Sequence, residues 1–290
     1  MDYLLRVTAA EGQIRGFFAK TNETVQIARD NYKTTPVVTA ALGRTLTGSA
    51  IMGAMLKNEK DILTVTVKGD GPIRGIIATA DSMGNVKGYA YEPHVILPLK
   101  ASGKLDVSGS VGVGTFSVIK DMGLKEPVSS NIPLATGEIA EDFTKYFAES
   151  EQTPSVVALG VLVDRDLSVK QSGGFVVQLM PGAEEDVISV LEERLSKLDT
   201  VTNMMEQGMG PEEIVDIILG GLNPVIHEKK EIRFFCNCSK ERAERALILM
   251  GKEEIEDIME EEGKAGIHCH FCNSYYNFNK AELGALLESL

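Results

Sequence analysis

Two periods of hydrophobic recurrence run along the chain, and they predict different elements in different regions. Residues 62–67, ILTVTV, alternate apolar side chains with threonine, as a strand with one buried face does. KGDGPIRG at 68–75 follows, with glycines suited to a sharp connection into a second strand at 75–80. A turn at 81–85 and a returning strand at 86–91 complete a meander. Residues 2–9 predict another strand, and LDVSGSVGVGTFSVIKD at 105–121 a further hairpin, its glycines marking close backbone approaches. Strands at 156–163 and 175–179, with a turn at 164–166, close this region before Pro181. Two helices interrupt it. One starts at Pro36; the other covers 138–150, where Ile139, Phe143, Tyr146 and Phe147 recur at helical spacing.

Beyond Pro181 the period is helical and the helices are short. AEEDVISVLEERLSKL at 183–198 places Val187, Val190, Leu191, Leu195 and Leu198 on one face. Residues 202–225 hold two shorter helices divided by Gly-Met-Gly-Pro and closed by Gly220-Gly221. Such helices draw their stability from packing, so this stretch predicts a lightly held layer over the first region. The last segment predicts helices at 240–250, 253–260 and 280–290, with cysteine-bearing turns around the first two and no clear strand before the second turn. The fold class is α+β: an N-terminal mixed strand and helix core, a helical linker and a small C-terminal domain.

Composition changes this picture in three places. The segment 36–56 is nearly uncharged and long enough to span a bilayer. However, Arg44 and its threonine, alanine and glycine content predict a buried helix packed closely on a sheet instead. No secretory signal is visible at the start, so a cytoplasmic location is expected. The formal charge of −13 is uneven: residues 1–180 carry 19 acids and 18 bases, a net of −1, leaving 23 acids and 11 bases, a net of −12, for 181–290. An acidic chain argues against nucleic acid as a partner.

The four cysteines are the candidate chemistry, and all lie in the last fifth of the chain. Cys236 and Cys238 form C-x-C; Cys269 and Cys272 form C-x-x-C. Zinc takes four such sulfurs in a tetrahedron, two from each turn. A small, charged segment with little core gains from a metal the folding free energy that its side chains lack. The flanking aromatics Phe234, Phe235, Phe271, Tyr275, Tyr276 and Phe278 are expected to shield the sulfurs. His268 and His270 bracket Cys269 and are alternative ligands. A dithiol redox pair at Cys269 and Cys272 is a competing reading. A zinc clamp can be purely structural, or it can be a sensor, because oxidised thiolates no longer bind the metal. No catalytic constellation competes. GDGP and GVGTFS are not phosphate-binding fingerprints, and Asp70, Asp81, Asp121 and Glu138 are scattered carboxylates near glycines.

The motifs taken together resemble one known family. CNC at 236–238 and CHFC at 269–272 occur with KGDGPIRG at 68–75, FSVIKDMGLKEP at 116–127, GEIAEDFTKYFAESEQTPS at 137–155 and GGFVVQLMPGAEE at 173–185. This set, in this order, resembles the redox-regulated holdase chaperones of the 33-kilodalton heat-shock protein family. The resemblance implies a chaperone core at 1–180, a metastable helical linker at 181–229 and a zinc redox-switch domain at 230–290. It implies one zinc per chain, held in the reduced, inactive form by Cys236, Cys238, Cys269 and Cys272. It implies that oxidation joins Cys236 to Cys238 and Cys269 to Cys272, whereupon zinc leaves and a surface for unfolded client proteins opens without ATP. It further implies a homodimer, especially when oxidised, and no enzymatic activity. Met204, Met205 and Met209 are candidate client contacts, because methionine adapts to varied partners. Two other functions stay open: a zinc-stabilised binding protein without redox response, and a thiol oxidoreductase using Cys269 and Cys272.

Overall fold

Strands β1 (Tyr3–Ala9), β2 (Ile14–Lys20), β8 (Ser155–Val163), β9 (Val169–Leu179) and β10 (Val225–Glu231) form a five-stranded sheet in the order β10-β1-β2-β9-β8. All its pairings are antiparallel. The computed structural model describes residues 1–288. A second sheet runs β11-β5-β4-β3-β6-β7, from β3 (Ile62–Gly69), β4 (Gly75–Asp81), β5 (Asn85–Ala90), β6 (Gly114–Asp121), β7 (Val128–Pro133) and β11 (Arg233–Phe234). Only β11 pairs in parallel, with β5. The meander β3-β4-β5 and the strand at the start of the chain form as the alternation predicts.

The two sheets share one core through α2 (Pro36–Gly53), whose side chains are buried on nearly every face. Its small residues make that possible. A Cβ at Gly48 would lie 2.5 Å from the Phe143 ring, and one at Gly43 would lie 2.7 Å from both Val25 and Val161. Arg44, the charge that argues against a membrane span, donates to the Glu138 carbonyl at 3.0 Å and its carboxylate at 2.8 Å. Helices α1 (Asn22–Tyr32) and α4 (Ala140–Glu149) add to the same core. Asp142 organises the entry to α4. Its carboxylate is buried and accepts from the backbone N–H groups of Ala135, Thr136, Gly137 and Ile139.

The hairpin expected over 105–121 does not form. Residues 107–111 are a short helix, α3 (Val107–Val111), because Asp106 accepts from Gly109 N at 2.9 Å and caps it. Only β6 is a strand there, and it pairs with β3. The glycines of this segment do serve close approach: a Cβ at Gly112 would lie 2.5 Å from Gly71 N, and one at Gly114 1.9 Å from the Lys68 carbonyl oxygen.

The other face of the five-stranded sheet carries Leu5, Val7, Ala9, Ile14, Phe18, Phe175 and Val177. Three helices, α5 (Glu185–Ser196), α6 (Val201–Glu206) and α7 (Pro211–Leu219), cover it. They contribute Leu191, Val201, Met204, Met205, Ile214, Val215, Ile218 and Leu219. This core is separate from the one around α2. The chain folds as two compact units, one ending at Phe235 and the other starting at Cys236. The second unit contains α8 (Lys240–Met250), α9 (Lys252–Glu261), β12 (Lys264–His268), β13 (Tyr275–Asn279) and α10 (Lys280–Glu288). Positions 289 and 290 of the expected last helix lie outside the described residues.

Candidate metal centre

The cysteine unit is small. Its buried core is Ala243, Leu247, Ile255, Phe278 and Leu283, drawn from three helices and β13. Cys236 and Cys238 occupy an irregular turn, and Ser239 then caps α8 by accepting from Arg242 N. Cys269 and Cys272 sit at the tip of a hairpin in which His268 pairs with Tyr275. A strand, β12, therefore does precede Cys269, contrary to expectation. Its sequence, KAGIH, has one strongly apolar side chain, so alternation gives no signal; pairing with YYNFN forms it. The turn is closed by Cys269 N donating to the Ser274 carbonyl at 2.9 Å and Asn273 N to the Cys269 carbonyl at 2.8 Å. Asn273 takes the left-handed φ of +60° that the turn requires.

This local folding brings the four sulfurs together. Cys236 Sγ lies 3.6 Å from Cys269 Sγ, and Cys238 Sγ lies 3.1 Å from Cys272 Sγ. All four are within 4.8 Å of one another, and each residue is half-buried. A tetrahedron with metal–sulfur bonds of about 2.3 Å has sulfur–sulfur edges of about 3.8 Å, so the spacing and donor set fit a four-thiolate metal. The cluster is capable of coordinating a metal ion.

Two neighbouring hydroxyls contact it. Tyr276 donates its hydroxyl to Cys238 Sγ at 3.1 Å, and Ser274 Oγ lies 3.2 Å from Cys272 Sγ. Burial pushes the Cys236 and Cys238 thiols up. It opposes ionisation of Cys272 as well, but hydrogen bonds from Ser274 and Cys238 outweigh it and bring this thiol down to about 7. The bond to Cys238, with some desolvation, moves the Tyr276 hydroxyl up to about 12. The chain thus supplies hydrogen-bond donors for sulfurs that carry negative charge. The aromatic character of Tyr276 was legible in the sequence; its role as a donor was not.

The other sequence candidates fall elsewhere. His268 stacks on Tyr275 with centroids 4.3 Å apart, and its Nε2 is 2.8 Å from Asn273 Oδ1. Neither His268 nor His270 belongs to the candidate ligand group. Within the first unit Phe234 packs on the core around α2, and Phe235 lies under Arg233. Phe278 is buried in the cysteine unit's own core. Met204 and Met205, on α6, are buried against the five-stranded sheet, and Met209 packs on the same core. The scattered carboxylates have local partners. Asp70 accepts from Val113 N, Asp81 from Met83 and Asn85 N, and Asp121 from Gly123 N. Glu138 pairs with Arg44 and Lys100.

Known proteins share both the fold and the sequence. A family model described as Hsp33 protein matches residues 2–279. The chain belongs to the Hsp33 family. It is 53% identical over 290 residues to the 33 kDa chaperonin of Clostridioides difficile, covering 100% of this chain and 99% of that one. It is 52% identical over 282 residues to the 33 kDa chaperonin of Agathobacter rectalis, covering 97% and 98%. The crystal structure of the 33 kDa chaperonin of Thermotoga maritima superposes with a TM-score of 0.91 at 37% identity, covering 99% of this chain and 98% of that one. Members of the Hsp33 family are redox-regulated, ATP-independent holdase chaperones and not enzymes, and this chain has that function. Among the described residues no helix is long and apolar enough to cross a membrane.

Proposed function

We propose that Cys236, Cys238, Cys269 and Cys272 hold one zinc ion in the reduced protein and that their oxidation state sets whether unfolding clients are bound. The observation that carries this reading is the convergence of all four sulfurs within 4.8 Å in a unit whose buried core is five side chains. Bound zinc would keep the sulfurs deprotonated and contribute folding free energy to that unit. The chain's part is to bring two turns together and to direct Tyr276 and Ser274 at the sulfurs. Peroxide takes two electrons from each thiol pair, forming Cys236–Cys238 and Cys269–Cys272, the pairing the resemblance implies, and is itself reduced to water. The sulfur contacts at 3.6 and 3.1 Å run between the two turns, whereas this pairing closes each bond within one turn. Loss of all four ligands leaves the small unit without its main support.

The step from that unit to the client surface runs through α5, α6 and α7. Their core is separate from the one around α2, so they can leave the five-stranded sheet while the rest stays folded. Their departure bares Leu5, Val7, Phe18 and Phe175 on the sheet and Met204, Met205 and Met209 on the helices, an apolar surface suited to unfolded chains. A homodimer of the oxidised form belongs to the same proposal, as does a cytoplasmic location, where thiols are kept reduced. The test is metal content and client protection in the wild type and in Cys269→Ser. The wild type is expected to carry one zinc per chain and to suppress client aggregation, without nucleotide, only after oxidation. A reduced, zinc-free wild type would overturn the ligand assignment.

A further inference from the structure

Three of the eleven methionines, Met204, Met205 and Met209, lie within six residues of one another. In the thiol form α6 lays Met204, 3% exposed, and Met205, 4% exposed, against the five-stranded sheet. Met205 occupies space that only a glycine leaves: a Cβ at Gly173 would lie 2.9 Å from its Sδ and 3.2 Å from its Cε. The Met205 sulfur is thus buried and packed directly against the sheet backbone. Met83 and Met250, by contrast, are 54% and 50% exposed.

Peroxide and hypochlorous acid also oxidise thioethers. The sulfur gains one oxygen and gives up two electrons, while peroxide becomes water or hypochlorous acid becomes chloride and a proton. The sulfoxide is polar, and returning it to a core of Leu5, Phe18, Val201 and Ile214 leaves its oxygen without a donor.

We infer that Met204 and Met205 are a second oxidation site: shielded while α5–α7 are docked, open to oxidant once they leave, and unable to redock as sulfoxides. Reduction of the disulfides alone then fails to close the chaperone, and a sulfoxide reductase is needed as well. This rests on the proposed release of α5–α7 after thiol oxidation. It adds a memory of severe oxidation to a switch that thiols by themselves make fully reversible.

The experiment uses the full, zinc-loaded chain and two oxidants: diamide, which oxidises thiols but not methionine, and hypochlorous acid, which oxidises both. Each sample is quenched, treated with dithiothreitol and zinc, and assayed by light scattering for residual client protection. Peptide mass spectrometry locates added oxygen. The diamide sample is expected to close. The hypochlorous acid sample is expected to keep about half or more of its protection, with oxygen on the peptide containing Met204 and Met205. Methionine sulfoxide reductases should then close it, and the volume-conserving variant Met204→Leu/Met205→Leu should close after either oxidant. Complete closure with both sulfoxides in place would overturn the inference. So would an unmodified α6 in an open sample whose Met83 is fully oxidised. If neither oxidant produces protection at the outset, the proposed release fails and this inference fails with it; protection that appears and then reverses in the presence of the sulfoxides sinks the inference alone.

Discussion

Ile218 is fully buried in α7, and replacing it with alanine should open the chaperone without oxidant. Its side chain belongs to the core between α5–α7 and the five-stranded sheet and to no other. Removing three carbons from such a site costs about 3 kcal/mol, the lost burial plus the cavity left behind. That cost falls on the docked layer, because the core around α2 does not contain the residue. At about 1.4 kcal/mol per tenfold, the docked state loses a factor of about 100 relative to the released one. Reduced, zinc-loaded Ile218→Ala should therefore suppress client aggregation measurably where the wild type does not. Amide exchange across 185–219 should quicken by a similar factor, and exchange in α2 should stay as it is. Equal acceleration in α2 would show that the layer is not separable. A layer that opens without client protection would show that docking is not what hides the client surface.

Other perturbations test other parts of the structure. Burial opposes the charge on Glu138, but hydrogen bonds from Lys100 and Arg44 outweigh it and hold the carboxyl at about 2, below its ordinary 4.5. A depressed carboxyl stabilises the fold fully above about 4.5 and loses that contribution as pH falls through about 2. Glu138→Gln should thus cost about 2 kcal/mol at pH 7, allowing for the partial exposure of its partners, and flatten the acid limb of a melting series; an unchanged acid limb would exclude this pair as its source. Gly84 has φ +85°, and a Cβ there would lie 2.0 Å from the Glu231 carbonyl oxygen, where the chain passes from β10 to β11. Gly84→Ala should cost about 2 kcal/mol by denaturant midpoint, and a shift near zero would show that the crossing relaxes freely. Chelation of zinc from the reduced protein should speed amide exchange in Cys236 onward by a large factor while leaving β3 and β6 protected; unchanged exchange would mean that the small core stands without metal.

The parts of the fold that the sequence reveals are those whose burial has a clear period. ILTVTV alternates because one face of β3 meets the core, and α2 is recognisable because nearly every face is buried. The elements that escape notice have weak patterns. Helix α1 buries just Thr24, Val25 and Ala28, too narrow a stripe to stand out. Strand β10, VIHEKKE, is charged and mostly exposed and is a strand because β1 offers its edge. The segment at 105–121 misleads because glycines that suit a hairpin equally suit a capped turn of helix beside a close backbone crossing. The candidate metal cluster is legible from spacing, since C-x-C and C-x-x-C each set two sulfurs close together in one turn. Their surroundings are not: the contacts of Tyr276 and Ser274 with the sulfurs depend on how β13 returns beside the turn, and the placing of Met205 over Gly173 depends on a strand more than twenty residues away in sequence.

The most direct measurement follows three signals in one sample of the reduced, zinc-loaded protein exposed to peroxide at raised temperature: zinc released to a chromogenic chelator, free thiols, and protection of an aggregating client. Four thiols should be lost and one zinc released per chain, with protection rising in step, and reductant with zinc should return the thiols and the bound metal. Protection that rises while zinc stays bound, or zinc release that brings no protection, would contradict the coupling of the four cysteines to client binding.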